Sequence, residues 1–157
     1  MRIAVGTDER TDVVDAIERH LVEHGHEVEV VADGDLWPDV GRSVGEAVAS
    51  GRADRGVVCC WTGTGVSIAA NKVPGVRAAL CTDAETARGA RRWNDANVLA
   101  LGLRLTSPVV AGEMLEAFCT TDPDEDETGA LLRLADPSGG DPTSGPAPSA
   151  PVEAYNA

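Results

Sequence analysis

The chain has 157 residues, enough for one domain that buries a core without disulfides. Its 26 acidic against 13 basic residues leave a formal charge of −13, which repels nucleic acid phosphates and anionic membrane surfaces and argues against both as partners. Four cysteines, Cys59, Cys60, Cys81 and Cys119, lie in apolar runs without CxxC spacing or a histidine at metal-like intervals. That pattern predicts reduced thiols in a cytoplasmic protein, and no metal site. The opening MRIAVGTDER turns to charge too soon for a signal peptide or a membrane span.

Short apolar runs alternate with helical periodicity, the pattern of repeated strand–helix units on a parallel sheet. Ile3 to Asp8 reads as a first strand ending in a polar turn. Val13, Val14, Ile17, Leu21 and Val22 then recur at helical spacing until Gly25 closes the helix. HEVEVV, from His26, alternates as a second strand, and a helix over Val44 to Ala49 leads to a third strand at Gly56 to Cys60. A loop and helix from Thr62 to Lys72 follow. Val76 to Cys81 gives a fourth strand, Asp83 caps a helix over Ala84 to Arg92, and Asn97 to Gly102 forms a fifth. Ser107 with Pro108 opens a last helix to about Phe118. With three Trp, one Tyr and one Phe, the core rests on Val, Leu, Ala and Ile. The acidic run Thr120 to Thr128 belongs on the surface, as a linker or helix start. Beyond Asp136 the chain is rich in Pro, Gly, Ser and Ala, so the domain is expected over 1–136 and a disordered tail over 137–157.

The segment from Val57 to Lys72, VVCCWTGTGVSIAANK, carries the most chemistry. A strand ends in a cysteine and runs into a glycine-spaced turn and a helix. Backbone N–H groups in such a turn, with the positive end of the helix, favour an anion and lower a nearby thiol's pKa. The same pattern also occurs in α/β proteins that bind nothing there. Flavin phosphate loops of this kind follow the first strand rather than the third, which argues against flavin, and no cofactor is expected. Neighbouring Cys59 and Cys60 point to opposite faces of the strand, so only one can line a cleft. A disulfide between them would be strained, which argues against a redox role. In open parallel sheets ligands sit beyond the carboxyl ends of the strands. Asp8 after the first strand, Cys60 to Gly65 after the third, and Asn94 with Asp95 before the fifth are expected to converge there. Asp8 also suits a helix cap, and Asn94 and Asp95 also suit a turn.

TGTGVSIAANKVPGVRAALC, the later RWNDANVLALGLR and the opening GTD resemble the ribose-5-phosphate isomerase B and galactose-6-phosphate isomerase family over roughly residues 1 to 118. The resemblance implies a Rossmann-like α/β three-layer sandwich with a five-stranded parallel sheet. It also implies a homodimer or dimer of dimers whose sites are shared between subunits. Its catalytic implication is that Cys60 moves a proton between C2 and C1 of an open-chain aldose while the loop's N–H groups stabilise the enediolate. Thr62, Gly63, Thr64 and Gly65 match the family loop, and Ser67, Asn71 and Lys72 match the helix after it. Some relatives use a glutamate where this chain has Val66.

Departures from the family shape the expected substrate. Glu9 follows Asp8 where relatives have histidine, Trp93 precedes Asn94 where they have another, Trp37 replaces a tyrosine and Trp61 a glycine. Three indoles are thus expected around the pocket, narrowing it or offering stacking surfaces. Basic residues of the family's last helix are replaced by DEDETGALLR. Arg104 remains at the family's strand-five arginine, and Arg10 or Arg133 is a candidate substitute. The expected activity is therefore isomerisation of a sugar or sugar-like small molecule, with ribose 5-phosphate disfavoured by Glu9 and Asp126. The alternative is a non-catalytic descendant that binds a small molecule or a partner.

Overall fold

A computed structural model describes residues 1–135; the expected tail, 137–157, lies outside the described residues. Among the described residues the order is β1 (Arg2–Thr7), α1 (Asp12–Glu23), β2 (Glu27–Asp33), α2 (Trp37–Ala49), β3 (Arg55–Cys60), α3 (Thr64–Ala70) and β4 (Ala78–Leu80). Then come α4 (Ala84–Asn94), β5 (Val98–Gly102), α5 (Pro108–Thr120), a 3₁₀ turn at Glu125–Glu127 and α6 (Thr128–Ala135). All five strands are parallel, in the order β2-β1-β3-β5-β4. The expected α/β three-layer sandwich is therefore present. Among the described residues no helix is long and apolar enough to cross a membrane.

Parallel strands need a helix on each face to bury both sides, and the sequence supplies two distinct layers. Ile3, Val5, Val57, Cys59, Leu99 and Leu101 pack against Val14, Ile17 and Leu21 of α1 and Met114, Leu115 and Phe118 of α5. Fully burying each of the larger of these side chains contributes about 1.5–3 kcal/mol. On the other face Ala4, Val58, Cys60, Val98 and Ala100 meet Val40, Val44 and Ala47 of α2 and Val66 and Ala70 of α3. The second layer is built from small side chains, so its helices approach closely. A Cβ on Gly41 of α2 would lie 2.6 Å from Ala69 Cβ and 2.7 Å from the Val66 carbonyl oxygen of α3.

The topology fixes where a crevice opens. β1 leads to α1 on one face and β3 leads to α3 on the other, so the loops leaving these neighbouring strands part at their carboxyl ends. Local signals act as read. Asp83 and Thr86 form a capping box on α4, Ser107 Oγ accepts from Val110 N at 3.3 Å, and Gly25 takes φ 78° just past α1.

Three elements differ from expectation. α2 begins at Trp37 rather than Val44, because Pro38 suits a first helical turn and Gly41 and Gly45 are packing positions against α3 and Val73 rather than breakers. β4 covers Ala78–Leu80 rather than Val76–Cys81, since Arg77 N is drawn to Asn97 Oδ1 at 2.8 Å and out of the ladder. α6 follows the acidic run as a separate helix whose Leu132 and Leu134 are exposed. Gly41→Ala should force α2 away from α3 and cost about 1–3 kcal/mol of stability in urea unfolding. An unchanged midpoint would show that the close contact is not a constraint.

Candidate active site

The β3–α3 loop is held by backbone contacts with the end of β5. The Cys60 carbonyl accepts from Gly63 N at 3.2 Å and from Leu103 N at 3.0 Å, and the Trp61 carbonyl from Arg104 N at 2.9 Å. Gly63 sits in the left-handed region at φ 75°, and a Cβ there would lie 2.5 Å from Leu80 Cδ1 and 2.8 Å from the Leu101 carbonyl carbon. Only glycine meets both demands. Gly63 is also the N-cap of α3, and no side chain caps this helix. The first-turn N–H groups of Thr64, Gly65 and Val66 therefore lack intrahelical acceptors. Thr62 Oγ1 and Thr64 Oγ1 are hydrogen-bonded at 2.6 Å.

Beside it, Asp8 directly follows β1, and its N–H donates to the Cys59 carbonyl at 3.3 Å. Buried Thr7 shapes the turn: its hydroxyl donates to the Glu9 carbonyl at 2.7 Å and accepts from Glu9 N at 3.3 Å. Asp8 Oδ1 is buried and has no hydrogen-bond partner among the described residues. Burial pushes the Asp8 carboxyl pKa up, a backbone hydrogen bond opposes this, and the nearby Glu9 charge adds to it. The two adjacent cysteines part as their alternation requires. Cys59 is enclosed in the α1/α5 layer, where burial pushes its thiol up to about 12, so it stays protonated. Cys60 faces the α2/α3 layer at the strand's carboxyl end and is 5% exposed.

Trp37 and Trp61 flank this end of the sheet. Trp37 starts α2 and lies over Gly65, where a Cβ would be 3.0 Å from indole Cε3. Trp61, 54% exposed, follows Cys60 directly. Arg104 is exposed beside it and takes part in none of the ion pairs among the described residues. Ser67 is half-buried on α3. Asn71 receives at Oδ1 from Ala78 N and donates from Nδ2 to the Ala78 carbonyl, each at 2.8 Å, tethering α3 to β4.

Other expected site residues lie elsewhere. The Arg10 guanidinium is taken up by Asp15 at 2.7 Å, Glu18 at 2.6 Å and Asp33 at 3.6 Å, and these hydrogen bonds, Glu18 first, raise its pKa further. Trp93, Asn94 and Asp95 do not join Cys60 within one chain. α4 runs antiparallel to the strands, so residues that precede β5 stand at the amino edge of the sheet. There Asn94 lines a groove with Lys72 to Ala79. Asp95, at φ 45°, binds Arg77 at 2.6 Å and Arg91 at 2.8 Å. Arg91, 5% exposed, also donates to the Ala96 carbonyl at 2.5 Å and the Thr121 carbonyl at 3.2 Å. This framework was not visible in sequence, because its partners are distant along the chain.

The "Ribose/Galactose Isomerase" family model matches residues 3–132. The chain belongs to this family. It is 41% identical over 108 residues to the ribose-5-phosphate isomerase B of Escherichia coli, covering 65% of this chain and 71% of that one. It is 36% identical over 124 residues to the D-erythrulose-4-phosphate isomerase of Pectobacterium atrosepticum, covering 75% and 82%. The solved ribose-5-phosphate isomerase B of Clostridium thermocellum superposes with TM-score 0.80 at 36% identity, covering 88% of this chain and 97% of that one. Family membership places the protein among the isomerases and agrees with the fold.

Two variants test the site's construction. Gly63→Ala should lose about 1–3 kcal/mol by urea unfolding, because strain at positive φ adds to the collision with β5. Asp8 opposes folding at neutral pH: with its folded pKa raised above the unfolded value, the native state resists losing the proton as pH rises. Asp8→Asn should therefore raise Tm at pH 7, with the gain vanishing below the ordinary carboxylate value of 3.8. A lower Tm at pH 7 would contradict the assigned desolvation.

Proposed function

We propose that this protein is an aldose–ketose isomerase acting on a sugar or sugar-like substrate through an enediolate. The observation that supports the reading is that Asp8, with its unpartnered oxygen, follows β1 where its N–H reaches the carbonyl of Cys59 on β3, so that Asp8, Cys60 and the uncapped start of α3 all belong to the carboxyl ends of two neighbouring strands. The Cys60 thiolate takes the proton from C2 of the open-chain aldose. The C2–H electron pair becomes the C1–C2 double bond, and the carbonyl π pair moves to O1. N–H groups of the Thr62–Gly65 loop and the first turn of α3 hold the charge on O1. Asp8 relays the proton from O2 to O1, and the Cys60 thiol returns its proton to C1 as the ketone forms at C2. Trp37 and Trp61 bound the space occupied by the sugar's body.

Ribose 5-phosphate is disfavoured as the native substrate. Arg10 is engaged by three carboxylates, Glu9 follows Asp8, and the segment 124–128 is acidic. Arg104 is the cation placed beside Trp61 to meet the far end of a substrate. A homodimer is part of this reading. Trp93 and Asn94 lie at the amino edge within one chain, and the family resemblance implies that a second copy would bring them to the crevice.

Trp93 at the family's histidine position favours a second reading, a non-catalytic descendant that binds the same class of ligand. One experiment separates the two: NMR of the protein in D2O with ribose 5-phosphate, free pentoses and free hexoses. Isomerisation predicts solvent deuterium entering the sugar, lowered about 10²–10⁴-fold in Cys60→Ser and little changed in Cys59→Ser. Equal loss in both variants would overturn the assignment of the base. Binding without exchange would select the second reading.

A further inference from the structure

α1 ends with His20 and, one turn later, His24 at its C-cap, two positions that share a helix face. Their rings stack with centroids 4.0 Å apart. Glu116 of α5 faces them, and one ligand atom from each of the three side chains lies within 4.8 Å of the others. His24 Nδ1 is 2.7 Å from the His20 carbonyl oxygen. A carbonyl only accepts, so Nδ1 carries the hydrogen and, in the neutral ring, Nε2 carries a lone pair. That Nε2 stands 4.0 Å from Glu116 Oε2, so two acceptors face one another across a gap that calls for a cation. The His20 ring occupies space that α5 leaves open, since a Cβ on Gly112 would lie 3.2 Å from its Nδ1. Both helices run toward their carboxyl ends here, and their dipoles favour positive charge.

We propose that His20, His24 and Glu116 form a binding site for a divalent transition metal, best matched by Zn²⁺. The 4.0 Å between His24 Nε2 and Glu116 Oε2 is within the combined reach of Zn–N bonds of about 2.0–2.1 Å and Zn–O bonds of about 2.0–2.2 Å, and a tetrahedral angle requires the exposed Glu116 carboxylate to move closer to the ring. Water completes the coordination. The carbonyl contact on His24 Nδ1 is the kind of outer hydrogen bond that orients a ligating histidine. Arg88 lines the same surface groove, but its guanidinium is paired with Glu85. The site lies at the amino end of the sheet, opposite the Cys60 crevice, so the ion would clamp α1 to α5 rather than enter the isomerisation. Weighing only the cysteines, the sequence reading expected no metal; the His-x₃-His spacing was legible, and its partner Glu116 was not.

The test is calorimetric titration of ZnCl₂ into the full, tag-free chain, with Tm measured in parallel. The expected result is one Zn²⁺ per chain and a raised Tm, with affinity falling at least tenfold in His24→Ala and in Glu116→Gln and unchanged in Cys60→Ser. Both substituted positions are exposed, and a metal-free Tm close to that of the parent confirms that each variant folds. Absence of saturable binding up to millimolar Zn²⁺ would overturn the proposal and leave only a surface contact between His24 and Glu116. Binding that ignores both substitutions, or that disappears in Cys60→Ser, would overturn it equally.

Discussion

The architecture of the crevice depends on the backbone contact between the β3–α3 loop and the strand beside it. Gly63 and Gly102 let the loop lie against β5 at distances no side chain would tolerate, and two hydrogen bonds carry the β5 continuation past Cys60 and Trp61. Without that contact the loop after Cys60 would be free to move, and the first turn of α3 would have no fixed aim. With it, a cysteine and a set of open N–H groups are placed before any ligand arrives, which is the condition for electrostatic preorganisation.

The layers on either side of the sheet serve different ends. The α1/α5 side is built from large residues such as Phe118, Met114 and Ile17 and supplies most of the bulk burial. The α2/α3 side is thin and close, made from alanine, valine and glycine, and it sets the position of α3 to within a methyl group. Cys59 belongs to the first layer and is held as an inert thiol, whereas Cys60 belongs to the second. Half-buried Asp8, with its buried Oδ1 unpartnered, is a cost to stability that the rest of the core offsets, as is common where a polar group is kept ready for substrate.

Much of this was legible in the sequence because it rests on local rules. Alternation along β3 separated the two cysteines, the Gly-spaced turn after a strand located the loop, and Asp83 and Ser107 marked helix starts. What stayed hidden rests on direction and distance. The expected helix over Val44 to Ala49 caught only the second half of α2, because its first turns rest on Pro38 at the start and on Gly41 packed against α3, a contact that has no local signature. Asn94 was expected beside Cys60 although an element that precedes a strand must lie at its amino end. Arg10 looked like a free cation, yet Asp15, Glu18 and Asp33 surround it. The Arg77–Asp95–Arg91 framework joins residues whose spacing carries no periodic signal.

The central claim is that the opened start of α3 receives the negative oxygen of the reaction intermediate. The most direct test is an amide ¹H–¹⁵N titration with a sugar hydroxamate, whose planar anionic head resembles an enediolate. Saturable shifts at the N–H groups of Thr64, Gly65 and Val66, together with Asp8, are the predicted result. Shifts confined to the Lys72–Ala79 and Asn94 groove, with the loop amides unmoved, would contradict the account.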